Sequence, residues 1–174
     1  DANTCTADLP TNTSTVVNSL PTVTAISTPT SGAICIGANA TLNGAGATSY
    51  IWSGGVTNGT AFAPTTTTTY TVTGTDANGC VNTATKSIKV NALPTVTATS
   101  TPTSGAICIG ANATLAGAGA TSYTWTGGVS NGSAFAPTTT TTYTVTGTDA
   151  NGCVNTATKS IIVNNLPAVT ATSI

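Results

Sequence analysis

The chain repeats itself. Residues 21–93 align without a gap to residues 94–166 at an offset of 73, with eight differences in 73 positions. They are Ile26/Thr99, Asn43/Ala116, Ile51/Thr124, Ser53/Thr126, Thr57/Ser130, Thr60/Ser133, Lys89/Ile162 and Ala92/Asn165. A fixed period of this length means one structural unit used repeatedly, so the fold of one unit is the fold of the chain. Residues 167–174 begin a further copy through its first strand. Residues 1–20 read as the C-terminal end of a preceding, diverged repeat: Asp1-Ala2-Asn3-Thr4-Cys5 parallels Asp76-Ala77-Asn78-Gly79-Cys80. On this reading the 174 residues are a stretch of a longer tandem array.

Composition fixes the class. Threonine supplies 44 of the 174 residues, and there is no Glu, Arg, His or Met. The branched Cβ of threonine sits well on a pleated sheet, and strong helix formers other than Ala are scarce. The expectation is an all-β chain. Alternation, turn signals and one short apolar stretch, Ala33–Ile36, predict seven strands within one repeat: Thr22–Ile26, Ala33–Ile36, Asn39–Asn43, Tyr50–Trp52, Thr60–Ala63, Thr69–Thr75 and Cys80–Asn91. Seven short strands with turn signals between them predict a β-sandwich. Its core is expected to hold Val23, Leu42, Trp52, Phe62, Tyr70, Val72, Ile88 and Val90, repeated as Val96, Leu115, Trp125, Phe135, Tyr143, Val145, Ile161 and Val163. These positions are identical in the two copies, whereas Ile26/Thr99, Ile51/Thr124 and Lys89/Ile162 fall on the outward register.

The same composition argues against several functions. Only seven residues are charged, and the net charge is −1. Three lysines and no arginine leave no basic patch for nucleic acid. Without His or Glu, the usual general bases and most metal-ligand sets are missing, so no catalytic residue, metal or cofactor is expected. No apolar run approaches the ~20 residues of a membrane helix. No secretory signal stands at residue 1, and any such signal is expected to lie outside these residues.

Five cysteines are an odd number. Within the repeat frame they pair as Cys35 with Cys80 and Cys108 with Cys153, one disulfide per sandwich. Cys5 then sits at the Cys80 position and has no partner in this window. Disulfides imply an oxidising, extracellular or cell-surface location. Each bridge would close a loop of roughly 45 residues, adding about 4 kcal/mol in the chain-entropy model. That matters for a unit whose single core is small.

The residues also carry a resemblance. Cys35-Ile36-Gly37 is followed by a Leu42 strand, Tyr50-Ile51-Trp52, the run from Pro64 through Tyr70 to Asp76-Ala77-Asn78-Gly79-Cys80, and Ser87-Ile88-Lys89-Val90-Asn91. This order resembles the immunoglobulin-like (PKD-like) repeats of large secreted cell-surface proteins of Bacteroidetes-type bacteria. The resemblance implies tandem immunoglobulin-like sandwiches in adhesins, surface filaments or stalks, and it identifies the module rather than its role.

Other motifs have plain structural readings. Asp76 and Asp149 are the only acids of the full repeats, and calcium prefers several carboxylates, so each reads as a turn cap. Lys86 and Lys159 read as solvated lysines on an edge strand, not as isopeptide donors. Trp52 and Trp125 alternate with polar residues and read as core, not as a sugar platform. Asn39, Asn58, Asn112 and Asn131 head formal glycosylation sequons. The expected function is structural and non-enzymatic: an extracellular fibre or filament that self-associates through uncharged, Thr-rich faces. Its partners are copies of itself, with surface glycans as a further candidate. The alternatives are the stalk of an adhesin whose binding domain lies elsewhere, and a spacer in a secreted enzyme.

Overall fold

A computed structural model describes residues 16–171. Fourteen strands form four sheets, and no strand of residues 24–91 pairs with one of residues 97–164. The first half contains β1 (Thr24–Thr28), β2 (Ala33–Cys35), β3 (Ala40–Ala45), β4 (Ser49–Trp52), β5 (Ala61–Phe62), β6 (Thr68–Thr75) and β7 (Val81–Asn91). The second half repeats them as β8 (Thr97–Thr101), β9 (Ala106–Cys108), β10 (Ala113–Ala118), β11 (Ser122–Trp125), β12 (Ala134–Phe135), β13 (Thr141–Thr148) and β14 (Val154–Asn164). Each of the seven strands expected per repeat is present, with shifts of one or two residues at the ends. Of the third copy's strand, expected within residues 167–174, the described residues 167–171 carry no strand and the rest fall outside the described residues, as does Cys5.

Each half has a three-stranded sheet, β1-β3-β5 or β8-β10-β12, and a four-stranded sheet, β2-β7-β6-β4 or β9-β14-β13-β11. The two sheets share one apolar cluster. In the first half its buried members are Ile34, Ala40, Leu42, Trp52, Tyr70, Val72 and Ile88. Val23, Phe62 and Val90 pack against it while partly buried. The second half has the equivalent cluster, with Ile107 and Ala113 buried beside Leu115, Trp125, Tyr143, Val145 and Ile161. Val96, Phe135 and Val163 are its partly buried flank. Ile34 and Ala40 were not on the expected core list. Ile34 lies in a strand of three residues, too short for its alternation to be read. Phe62 meets Tyr70 edge to face, with ring centroids 5.3 Å apart.

The long hairpin β6–β7 sets the axis of each unit. Its turn, residues 76–80, lies at one end, which we call the entry end. There the Asn82 side-chain amide donates to the Pro21 carbonyl (2.9 Å), holding the incoming chain. Asn155 does the same to Pro94 (3.0 Å). β7 ends at Asn91, at the opposite, exit end. β2 runs parallel to β7 and pairs only with its last residues, Ala33 with Lys89, Ile34 with Val90 and Cys35 with Asn91. A glycine is required beside the incoming chain. A Cβ on Gly119 would stand 1.9 Å from the Thr95 carbonyl oxygen, and its φ is +89°.

Candidate functional site

The only disulfide among the described residues joins Cys35 to Cys153, with Cα atoms 5.5 Å apart and a sequence separation of 118. Cys80 and Cys108 carry free thiols. This corrects the expected pairing of Cys35 with Cys80 and of Cys108 with Cys153. The reason is the strand register. Cys35 lies beside Asn91 at the exit end, while Cys80 precedes Val81 at the entry end. The eleven residues of β7 separate those ends by about 35 Å at ~3.3 Å per residue. Bridgeable cysteines need Cα atoms within about 7 Å. The exit end of the first unit instead meets the entry end of the second. The join Ala92–Thr95 delivers the chain to Pro94, which Asn155 holds beside the 149–153 turn. Cys153 is thereby brought onto Cys35, and its side chain is completely buried.

The turn that carries Cys153 is built by Asp149. Its Oδ1 accepts from the backbone N–H groups of Asn151 and Cys153, both at 2.8 Å. The backbone closes with Asp149 N–H to Cys153 O (2.9 Å) and Gly152 N–H to Asp149 O (3.1 Å). Asp76 makes the same pair of bonds to Asn78 and Cys80. Each carboxylate is therefore engaged as a turn cap. Charge-assisted bonds of this kind contribute about 2 kcal/mol. We expect Asp149→Ala to lower the unfolding free energy of the second unit by that amount, read from the shift of its denaturant midpoint. Added calcium is expected to leave the midpoint of the parent chain unchanged.

At Lys86 β7 pairs with β6 on one side only, since β2 reaches no further than Lys89, so this is the edge position expected; the Lys86 Nζ also donates to the Thr30 carbonyl (3.2 Å). Lys159 donates to Thr103 (3.0 Å). These lysines tie β7 and β14 to the loops leading into β2 and β9, which carry Cys35 and Cys108. The indole N–H of Trp52 donates to Asn58 Oδ1 (2.9 Å), which also accepts from the Gly44 N–H (2.8 Å). Asn58 thus holds a loop against the buried tryptophan, and Asn131 does so for Trp125.

The outer face of the four-stranded sheet is the second feature of note. Tyr70, Val72 and Gly74 of β6 point into the core, so Thr69, Thr71, Thr73 and Thr75 point out. Across from them stand Ser87, Thr85, Thr83 and Val81 of β7. The result is a ladder of hydroxyl pairs. In the second unit the Thr142 and Ser160 hydroxyls hydrogen-bond at 2.7 Å. The exposed Lys89 is the one charge on this register of β7, and the second unit has Ile162 there. Ile51, 75 % exposed, lies on the same face.

Among the described residues there is no pocket and no cluster of three or more His, Cys, Asp or Glu. No described helix is long and apolar enough to cross a membrane. Compared with known proteins, the chain matches no family model and no curated protein.

Proposed function

We propose that this chain is a structural, non-enzymatic region of an extracellular fibre or cell-surface filament, built from immunoglobulin-like repeats of residues 21–93 and 94–166. The observation that carries the reading is the Cys35–Cys153 bond between successive units. A spacer needs only to be long. A bond across each joint fixes one unit on the next, which is what a load-bearing rod requires. The disulfide also favours an oxidising location outside the cytoplasm. Low charge and the outward threonine ladders support lateral association with further copies, because close approach meets little electrostatic repulsion. The same stiffened joint suits the stalk of an adhesin or a spacer in a secreted enzyme, with the ligand-binding or catalytic part elsewhere.

Electron microscopy of unreduced native material tests this. Long uniform filaments with a regular axial repeat are expected. Beaded strings ending in a distinct globular head would move the function to that head. The lateral contact has its own test. Thr73→Lys with Thr146→Lys places one charge on each outer face, where folding stability should change by less than about 0.5 kcal/mol. Bundling is expected to disappear while single filaments remain. Unchanged bundles would remove the threonine face from the contact.

A further inference from the structure

The bond from Cys35 to Cys153 uses one cysteine from each end of a repeat: the exit-end thiol of one unit and the entry-end turn thiol of the next. The repeat is near-identical, so each unit possesses both. Cys108 is the exit-end thiol of the second unit, level with Asn164 on β14 just as Cys35 is level with Asn91. Cys80 is the entry-end thiol of the first unit, capped by Asp76 as Cys153 is capped by Asp149.

Burial separates the bonded from the unbonded members. Cys153 is completely buried, whereas its equivalent Cys80 is half-buried. Cys35 is half-buried, whereas its equivalent Cys108 is exposed. The joint behaves likewise: Leu93 is 39 % exposed, against 63 % for Leu20 and 64 % for Leu166 at the equivalent positions. Both outer ends of the pair of units therefore present the surfaces that are covered at the joint between them.

We propose that Cys108 and Cys80 are the two halves of the same bond, each made with another unit of this repeat. Cys108 takes the entry-end turn thiol of a following unit, and Cys80 takes the exit-end thiol of a preceding one. Successive units are then cross-linked at every joint, as a ladder running along the array. The two thiols of one pair of units stand at its opposite ends and do not reach each other. The chemistry needs a small-molecule disulfide as oxidant. One cysteine thiolate attacks it and releases one thiolate, leaving a mixed disulfide. The second cysteine thiolate attacks that mixed disulfide at the protein sulfur and releases the other. Two cysteine thiols are oxidised, one small disulfide is reduced to two thiols, and the two cysteine protons pass to those thiolates.

The inference shares the tandem-unit reading of the fold with the proposed function but does not need a filament. Its test uses two forms of the whole chain. One carries Cys5→Ser and Cys80→Ser, leaving Cys108 free. The other carries Cys5→Ser and Cys108→Ser, leaving Cys80 free. Each is incubated alone and mixed in oxidised and reduced glutathione, one form carrying an added mass tag, then alkylated, denatured and separated without reductant, so that the heterodimer and the two homodimers differ in mass. In the mixture we expect a disulfide-linked heterodimer in several-fold excess over either homodimer, with Cys108 joined to Cys80. Homodimers at the statistical share, or no dimer beyond that of the forms alone, would overturn the proposal. Filaments of native material in which alkylation finds Cys108 free would also overturn it, while leaving the filament reading intact. A heterodimer from chains that form no filaments would do the reverse.

Discussion

Leu115→Ala is expected to destabilise the second unit by about 3–4 kcal/mol. Leu115 is completely buried on β10, between the two sheets that share the cluster around Trp125, Tyr143, Val145 and Ile161. The loss combines the transfer of the removed methyl groups with a cavity that two pinned sheets cannot close. A unit of about 70 residues is stable by only about 4–10 kcal/mol, so the loss is a large share of the total. It corresponds to a fall in Tm on the order of 20 °C. Each unit has a single tryptophan, so Trp52→Phe leaves Trp125 as the reporter of the second unit. The outward position Ile51 provides the contrast. Ile51→Thr, the residue already present as Thr124, should change stability by less than about 0.5 kcal/mol. Similar losses from Leu115→Ala and Ile51→Thr would mean that the two-sheet core is misassigned.

Breaking the bridge is the second large effect. With the first unit folded, Cys35 is held beside Asn91, so the bond to Cys153 closes the stretch from Ala92 to Cys153, roughly 60 residues. Closing a loop of that length restricts the unfolded second unit by about 4 kcal/mol in the chain-entropy model. Cys35→Ser should therefore lower the stability of the second unit far more than that of the first, whose own strands lie outside the closed stretch. Separate denaturant midpoints from Trp52 and Trp125 read the difference. Peptide mapping supplies the direct check. After alkylation of free thiols and tryptic cleavage, residues 1–86 and 90–159 are expected to stay joined without reductant and to separate with it. Bridges within each repeat would leave those two peptides separate in both lanes.

Much of one unit was legible in the residues. The strict alternation of Thr69–Thr75 placed Tyr70 and Val72 inward, and the structure buries both. The eight differences between copies also carried information. Ile26, Ile51 and Ile162 are all exposed, because positions facing solvent tolerate exchange of Ile for Thr or Lys. Asp76 was legible as a cap because Asp-Ala-Asn-Gly fits a turn in which a carboxylate meets the following N–H groups. Ile34 was not, since its strand gives too few residues to establish a face, whereas Ala40 shares the inward register of Leu42 on β3 and was passed over only because its side chain is small.

The cysteine pairing shows where the sequence stopped. Local pattern determined the seven strands, the hairpin turn before Cys80 and the repeat frame, because backbone sterics and burial act over a few residues. It also determined that every unit has two cysteines. It did not determine that β2 runs parallel to the last residues of β7. That pairing, between residues more than fifty positions apart, places Cys35 at the exit end, and only the tertiary structure decided it. Sequence separation favours the nearer thiol through a smaller loss of chain entropy. A folded sheet about 35 Å long overrides that preference, because it holds Cys80 at one end and Cys35 at the other. The cysteine that reaches Cys35 is then the one carried by the neighbouring unit.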